Sequence, residues 1–247
     1  MHRKLMEGTV RGAEKRIGEY RQAHNAIGRE GDLSSIKYLP PPPNDVPDLM
    51  HNLEKYINDR SINYDVLVKC AFIHYEFEAI HPYADGNGRL GRVLITLYLL
   101  KERVLRYPLI YPSGYFLHYK HDYEKYLMNV TVEEDWRGWL VFFLKGMVEQ
   151  SKKSQKLLEG IDRQYQGALE NVRKNTQSVH AAKLVELVFK RPIIRAPEVS
   201  DRLGVEHQTA ISLLRKLELL GLLRSPAKKR KNIPFSNFAL IDLLERA

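Results

Sequence analysis

The twelve consecutive residues His81-Pro82-Tyr83-Ala84-Asp85-Gly86-Asn87-Gly88-Arg89-Leu90-Gly91-Arg92 constrain this chain more than any other stretch. Gly86 and Gly88 flank Asn87, and a Gly-Asn-Gly run adopts positive φ without a steric penalty. Its successive N–H groups can then turn inward as an anion-binding concavity. Leu90, Val93, Leu94, Leu97, Tyr98 and Leu100 recur at helical spacing, which predicts a helix from about Arg89 to Arg106. The glycine loop therefore opens onto a helix N-terminus, where unpaired N–H groups and the macrodipole favour phosphate. Arg89 and Arg92 lie three apart on one face of the first turn, and guanidinium forks suit a polyphosphate. Asp85 is a hard oxygen ligand beside that cradle, suited to Mg²⁺. His81 precedes the loop and can take a proton from an incoming nucleophile near neutral pH. An ordinary Asp-Gly or Asn-Gly turn requires neither the histidine ahead nor the arginines behind.

These residues resemble the signature of the Fic family, His-x-Phe-x-Asp/Glu-Gly-Asn-Gly-Arg-x-x-Arg, with Tyr83 standing where Phe is usual. The preceding Phe77-Glu78-Ala79-Ile80 is similar to the family's approach to the motif, and the likeness runs from about Gly18 to Val148. The resemblance implies a mainly α fold, a Fic-type helical bundle with a small β-hairpin flap. It implies a protein adenylyltransferase that moves AMP from ATP to a Tyr, Ser or Thr hydroxyl of a target protein. In that role His81 is the general base and Asp85 holds Mg²⁺. Gly86, Asn87 and Gly88 take the α-phosphate, and Arg89 and Arg92 grip the β- and γ-phosphates. The family also includes UMP, phosphoryl and phosphocholine transfer; the complete Gly-Asn-Gly-Arg-x-x-Arg run favours AMP.

Along the chain, Leu5 to Tyr20 reads as helix, and Gly18-Glu19-Tyr20-Arg21 resembles the lead-in to the family's hairpin. Residues 23–41 are then the expected hairpin, with strands at Ala26-Ile27 and Ile36 to Leu39 about a loop from Gly28 to Ser35. The resemblance implies that a protein substrate docks there as an added strand. The prolines from Pro40 to Pro43 stiffen its exit. Val46, Leu49, Met50, Leu53, Tyr56 and Ile57 mark an amphipathic helix, and a second from Tyr64 to Ala79 delivers the chain to the motif. Tyr107 to Tyr115 reads as loop, Tyr119 to Val130 as helix, and Trp136 to Met147 as a buried helix. Where the family has a Tyr-Tyr pair beside adenosine this chain has Tyr123-Glu124, so that contact is not carried over. His74 with Glu78, and His118 with His121, lack the further partners a metal site needs.

Charge divides the chain. Residues 171–247 hold 15 basic and 7 acidic side chains, most of the net +9. Helices at Ala181 to Phe189, Pro197 to Leu203 and His207 to Leu219, followed by Lys228-Lys229-Arg230-Lys231 at a hairpin tip and a strand from Ile233 to Leu240, look like a winged helix-turn-helix. His207, Gln208, Thr209, Ser212 and Arg215 would face DNA, with the basic run as wing. The expected domains are a Fic domain at 1–150, a helical connector at 151–178 and a winged helix at 179–247. The alternative function is a DNA-binding transcriptional regulator whose Fic-like part senses a nucleotide. No apolar run approaches the ~20 residues that span a bilayer. Cys70 is the single cysteine, in keeping with a reducing cytoplasm. An inhibitory Ser/Thr-x-x-x-Glu-Gly segment is not matched: Arg3 precedes Glu7-Gly8, and Ser154 lies five residues before Glu159. An uninhibited form is therefore expected unless a neighbouring chain supplies the glutamate, and a homodimer is left open.

Overall fold

The computed structural model describes residues 1–7, 17–27, 37–226 and 232–246. Two compact units divide the chain, residues 1–151 and 152–247.

The first unit is helical: α1 (His2–Met6), α2 (Val46–Asn58), α3 (Val66–Ile80), α4 (Asn87–Lys101), α5 (Pro112–His118), α6 (Lys120–Glu133) and the start of α7 (Trp136–Asn175). Asp65 starts α3 by accepting the Leu67 N–H at 2.8 Å, one of the orphan donors of a helix N-terminus. Cys70, Ala71, Ile73, Tyr75, Phe77 and Ile80 are all buried, so α3 is apolar nearly all round, as an interior helix must be. It packs closely on α4 because Gly91 lacks a side chain: a Cβ there would stand 2.2 Å from Glu78 Oε1. Trp139, Phe143, Phe116, Ile95 and Leu99 fill the core. The buried Trp139 indole donates to the Ala71 carbonyl at 3.1 Å, meeting its one polar need.

Several boundaries differ from the sequence reading. The motif helix stops at Lys101, not Arg106: Arg103 turns left-handed, and the Val104 and Leu105 N–H groups both return to the Leu99 carbonyl. Pro112 seeds α5 inside the segment expected as loop, since its fixed φ suits a first helical turn. The helix expected from Leu5 to Tyr20 ends at Met6, and Gly18 (φ +92°) forms a turn; residues 8–16 lie outside the described residues. The hairpin is present as one antiparallel bridge between Ile27 and Tyr38, and its tip, 28–36, lies outside the described residues.

The second unit adds α8 (Val179–Lys190), α9 (Ala196–Leu203), α10 (His207–Leu219) and α11 (Phe238–Glu245); α8, α9 and α10 enclose Leu184, Val185, Val199, Leu214 and Leu217. Gly204 takes φ +64° to close α9, and α10 begins three residues later. β1 (Ile193–Ile194) pairs antiparallel with β2 (Phe235–Ser236), and Arg224 bridges Ser236 on the other side. The strand expected from Ile233 to Leu240 is thus cut short: the Asn237 side chain accepts the Leu240 N–H at 3.2 Å and starts α11 instead. Lys228 to Lys231 lie outside the described residues. Among the described residues no helix is long and apolar enough to cross a membrane.

Candidate active site

The twelve-residue motif is the joint between α3 and α4. His81 is the left-handed C-cap of α3 (φ 49°, ψ 58°), and Gly86 is the left-handed N-cap of α4 (φ 83°, ψ 4°). Left-handed backbone is free of strain at Gly86 but unusual at a histidine. Asn87 staples the loop between them: its Oδ1 accepts the Tyr83 N–H at 2.9 Å, and its Nδ2 donates to the Tyr83 carbonyl at 2.7 Å. The first intrahelical bond of α4 runs from Leu90 N–H to Gly86 O at 2.9 Å. The N–H groups of Asn87, Gly88 and Arg89 therefore stand outside the helix ladder, at the positive end of the dipole.

His81 is half-buried, and its Nδ1 lies 3.3 Å from the Glu78 carbonyl. A carbonyl only accepts, so Nδ1 carries the proton and the neutral ring keeps a bare Nε2 lone pair. Burial pushes the His81 pKa down, the Glu78 carbonyl pulls it up, and the Arg21 charge pushes it down again. Burial and the Arg21 charge thus favour the neutral imidazole.

A cavity of about 560 Å³ opens beside it, lined by His81, Gly88 and Arg92, by Glu78 and Ala79, by Phe116, Tyr123 and neighbours on α6, and by Ile27, Lys37 and Tyr38 of the hairpin. That volume is ordinary for a site holding a small organic ligand. Arg92 is held by its Nε bond to Ser113 Oγ at 3.1 Å. Arg89 goes elsewhere: its Nη2 is 3.2 Å from Met6 Sδ and 3.9 Å from Asp85 Oδ2. Asp85 and Arg89 are not in the cavity lining, so among the predicted residues His81, Gly88 and Arg92 are the ones gathered there.

Asp85 Oδ1 accepts the Gly86 N–H at 2.6 Å, and a third of the side chain stays exposed. Among the described residues no three His, Cys, Asp or Glu side chains form a metal cluster. A lone carboxylate beside a phosphate cradle fits Mg²⁺ arriving with a nucleotide, because that ion commonly takes one or two carboxylates plus substrate phosphates.

Sequence reasoning missed four contributors. His2 stacks on Tyr83 at 3.9 Å, accepts the Gly18 N–H on Nδ1 and donates from Nε2 to the Asp85 carbonyl, closing α1 over the loop. Ser113 orients Arg92. Glu78 is buried in the cavity wall, its Oε1 has no hydrogen-bond partner among the described residues, and burial pushes its carboxyl up to about 7 despite Arg92. Arg21 is buried against backbone carbonyls of the motif. Only Glu78 carried a signal, a carboxylate among Phe77, Ala79 and Ile80 on the last turn of a mostly apolar helix.

Residues 1–99 match the Fic/DOC family, and residues 165–240 match the family described as protein adenylyltransferase SoFic-like, C-terminal domain. The chain is similar to a probable protein adenylyltransferase of Aquifex aeolicus (strain VF5), 39% identical over 74 residues, covering 30% of this chain and 22% of the relative. It also resembles the protein adenylyltransferase Fic of Aedes aegypti, 32% identical over 126 residues, covering 51% and 22%. The chain therefore spans about a fifth of the length of these curated relatives. A solved Fic family protein from Desulfovibrio desulfuricans G20 shares the fold at TM-score 0.54 and 22% identity, covering 96% of this chain and 66% of the other.

Proposed function

We propose that the Fic domain transfers AMP from ATP to a hydroxyl of a target protein. The observation that carries this reading is one cavity lined by His81, Gly88 and Arg92 that reaches the hairpin residues Ile27, Lys37 and Tyr38. In it, the target's Tyr, Ser or Thr oxygen attacks the α-phosphorus while its proton passes to His81 Nε2. The bond to the β-phosphate breaks and pyrophosphate leaves. The N–H groups of Asn87, Gly88 and Arg89 face the α-phosphate as charge grows there. Arg92, braced by Ser113, binds the outer phosphates. Asn87 acts through its backbone and through the loop it staples, since both ends of its side-chain amide are engaged by Tyr83. Arg89 must leave Met6 to reach a phosphate, or else it steadies Asp85. Asp85 would hold Mg²⁺, which screens phosphate charge when bound. The target lies along the hairpin at residues 23–41 as an added strand, so main-chain bonds set its register.

For the second unit we propose a winged-helix arrangement that touches DNA, with α10 in the groove. The α9–Gly204–α10 turn and the excess of 15 basic over 7 acidic residues in 171–247 favour it. Arg215 is already paired with Glu218 at 2.6 Å and stacked on Phe235, so His207, Gln208, Thr209 and Ser212 are the free candidates. A regulator that merely senses a nucleotide is the competing reading, and one experiment separates the two. The protein is given α-labelled or γ-labelled ATP with Mg²⁺ and a mixture of cell proteins. AMP transfer predicts label on protein from the α position only and none from His81→Ala. Label from the γ position would mean phosphoryl transfer, and no label with intact ATP binding would favour the sensor.

A further inference from the structure

Arg21 is 5% exposed, yet it forms no ion pair among the described residues. Every side-chain bond it makes among the described residues goes to a backbone carbonyl. Nε donates to His81 O at 2.9 Å, Nη2 to Pro41 O and to Ile80 O, and Nη1 to Ala23 O at 3.4 Å. Its own N–H donates to Pro82 O at 2.9 Å. Burying a guanidinium without a carboxylate is costly unless its donors are satisfied, and here they are satisfied by groups of particular kinds. Ile80 and His81 present the orphan carbonyls at the negative end of α3, where a cation is favoured. Ala23 and Pro41 are the two legs of the hairpin base. One side chain thus spans the hairpin's feet and the left-handed histidine turn. Tyr38 adds a second tie, its hydroxyl donating to Ala79 O at 3.0 Å.

We propose that Arg21 is a positioning residue that locks the hairpin base to the His81 turn, so that the edge offered to a target and the nitrogen that takes its proton keep one geometry. The inference rests on the reading of His81 as the base. It adds a residue sixty positions upstream that touches neither nucleotide nor target. Its charge also holds down the proton affinity of His81, alongside burial. The other titratable or charged groups lining that cavity are Tyr75 and Glu78 on α3, Arg92 on α4, Lys37 and Tyr38 of the hairpin, and Lys120, His121, Tyr123, Glu124 and Lys125 on α6.

Two variants separate charge from fork. Arg21→Lys keeps the cation but cannot bridge four carbonyls; Arg21→Gln loses both. Hydrogen exchange of the full chain without substrate is read at the Ile27 and His81 amides, and the His81 ring is titrated by NMR, assigned by its absence in His81→Ala. Exchange at both amides should rise about tenfold or more together in each variant. The His81 midpoint should move to higher pH in Arg21→Gln and little in Arg21→Lys. Transfer should fall roughly 10–100-fold in kcat with the KM for ATP unchanged, the usual consequence of a misplaced catalytic group. Faster exchange at the hairpin alone, or an unmoved titration in Arg21→Gln, overturns the coupling. If Arg21→Gln does not fold, the exchange pattern and the kcat-against-KM split of Arg21→Lys decide. A wild-type chain that transfers no AMP would sink the functional reading, while exchange and titration would still judge Arg21.

Discussion

Replacing Glu78 by Gln should make the first unit more stable at alkaline pH and change little at acid pH. Glu78 lies in the cavity wall with Oε1 unpartnered among the described residues, and burial raises its carboxyl from 4.5 to about 7. Below pH 4.5 the acid is neutral in both folded and unfolded chains. Between 4.5 and 7 the unfolded chain ionises while the fold keeps its proton, so stability drains away as pH rises. Above 7 the loss is complete. At 1.36 kcal/mol per pH unit, the difference between the plateaus is about 3 kcal/mol. For a unit of this size that corresponds to roughly 6–12 °C in Tm. A neutral amide of the same shape does not titrate. Calorimetry of wild type and Glu78→Gln at pH 4.5, 6 and 8 should show the variant's advantage growing by that amount. An offset that stays constant across the three pH values would refute the reasoning, because it would mean that Glu78 is already ionised in the fold at low pH. Keeping an unpaired acid beside Arg92 at such a cost is what a working site does, and a core optimised for stability does not.

His74 should act in the opposite sense. Burial pushes it down to about 3, so the stability it contributes is whole above 6.5 and is lost as pH falls towards 3. His74→Phe should flatten that acid limb in urea titrations at pH 4 and 7, while costing about 1–3 kcal/mol because the Tyr123 hydroxyl, 3.0 Å away, loses its partner. Gly91→Ala should cost about 1–3 kcal/mol by forcing α3 and α4 apart at Glu78, visible as a lower Tm. Asn87→Ala leaves the Tyr83 N–H unpaired and its carbonyl with only the long Asn25 Nδ2 contact of 3.5 Å; it should cost about 1–3 kcal/mol and weaken ATP binding by calorimetric titration.

Much of this site could be read along the chain because its chemistry is local. His81, the glycines and Arg92 fall within twelve residues, and helical periodicity after Arg89 marked where the helix N-terminus had to begin. Spacing could not say where each side chain goes. Arg89 and Arg92 share a face at three-residue separation, yet Ser113 draws Arg92 to the cavity while Met6 and Asp85 hold Arg89 away. Gly86-Asn87-Gly88 reads as a backbone nest, and residue type does not reveal that the Asn87 side-chain amide is spent on Tyr83. Arg21 was silent for a different reason: it bonds to backbone carbonyls sixty residues away, and carbonyls have no sequence signature. In the second unit, the apolar run from Ile233 to Leu240 reads as strand until Asn237 is seen as a helix cap in its middle.

The central claim is that His81 performs the chemistry and does not hold the nucleotide. It is tested most directly by measuring ATP affinity and AMP transfer on the same preparation of His81→Ala. The account predicts an ATP dissociation constant within about threefold of wild type, with transfer of α-label to protein reduced by 100-fold or more, consistent with loss of a general base. Transfer that survives in the variant, or is lost only in step with ATP binding, would contradict it.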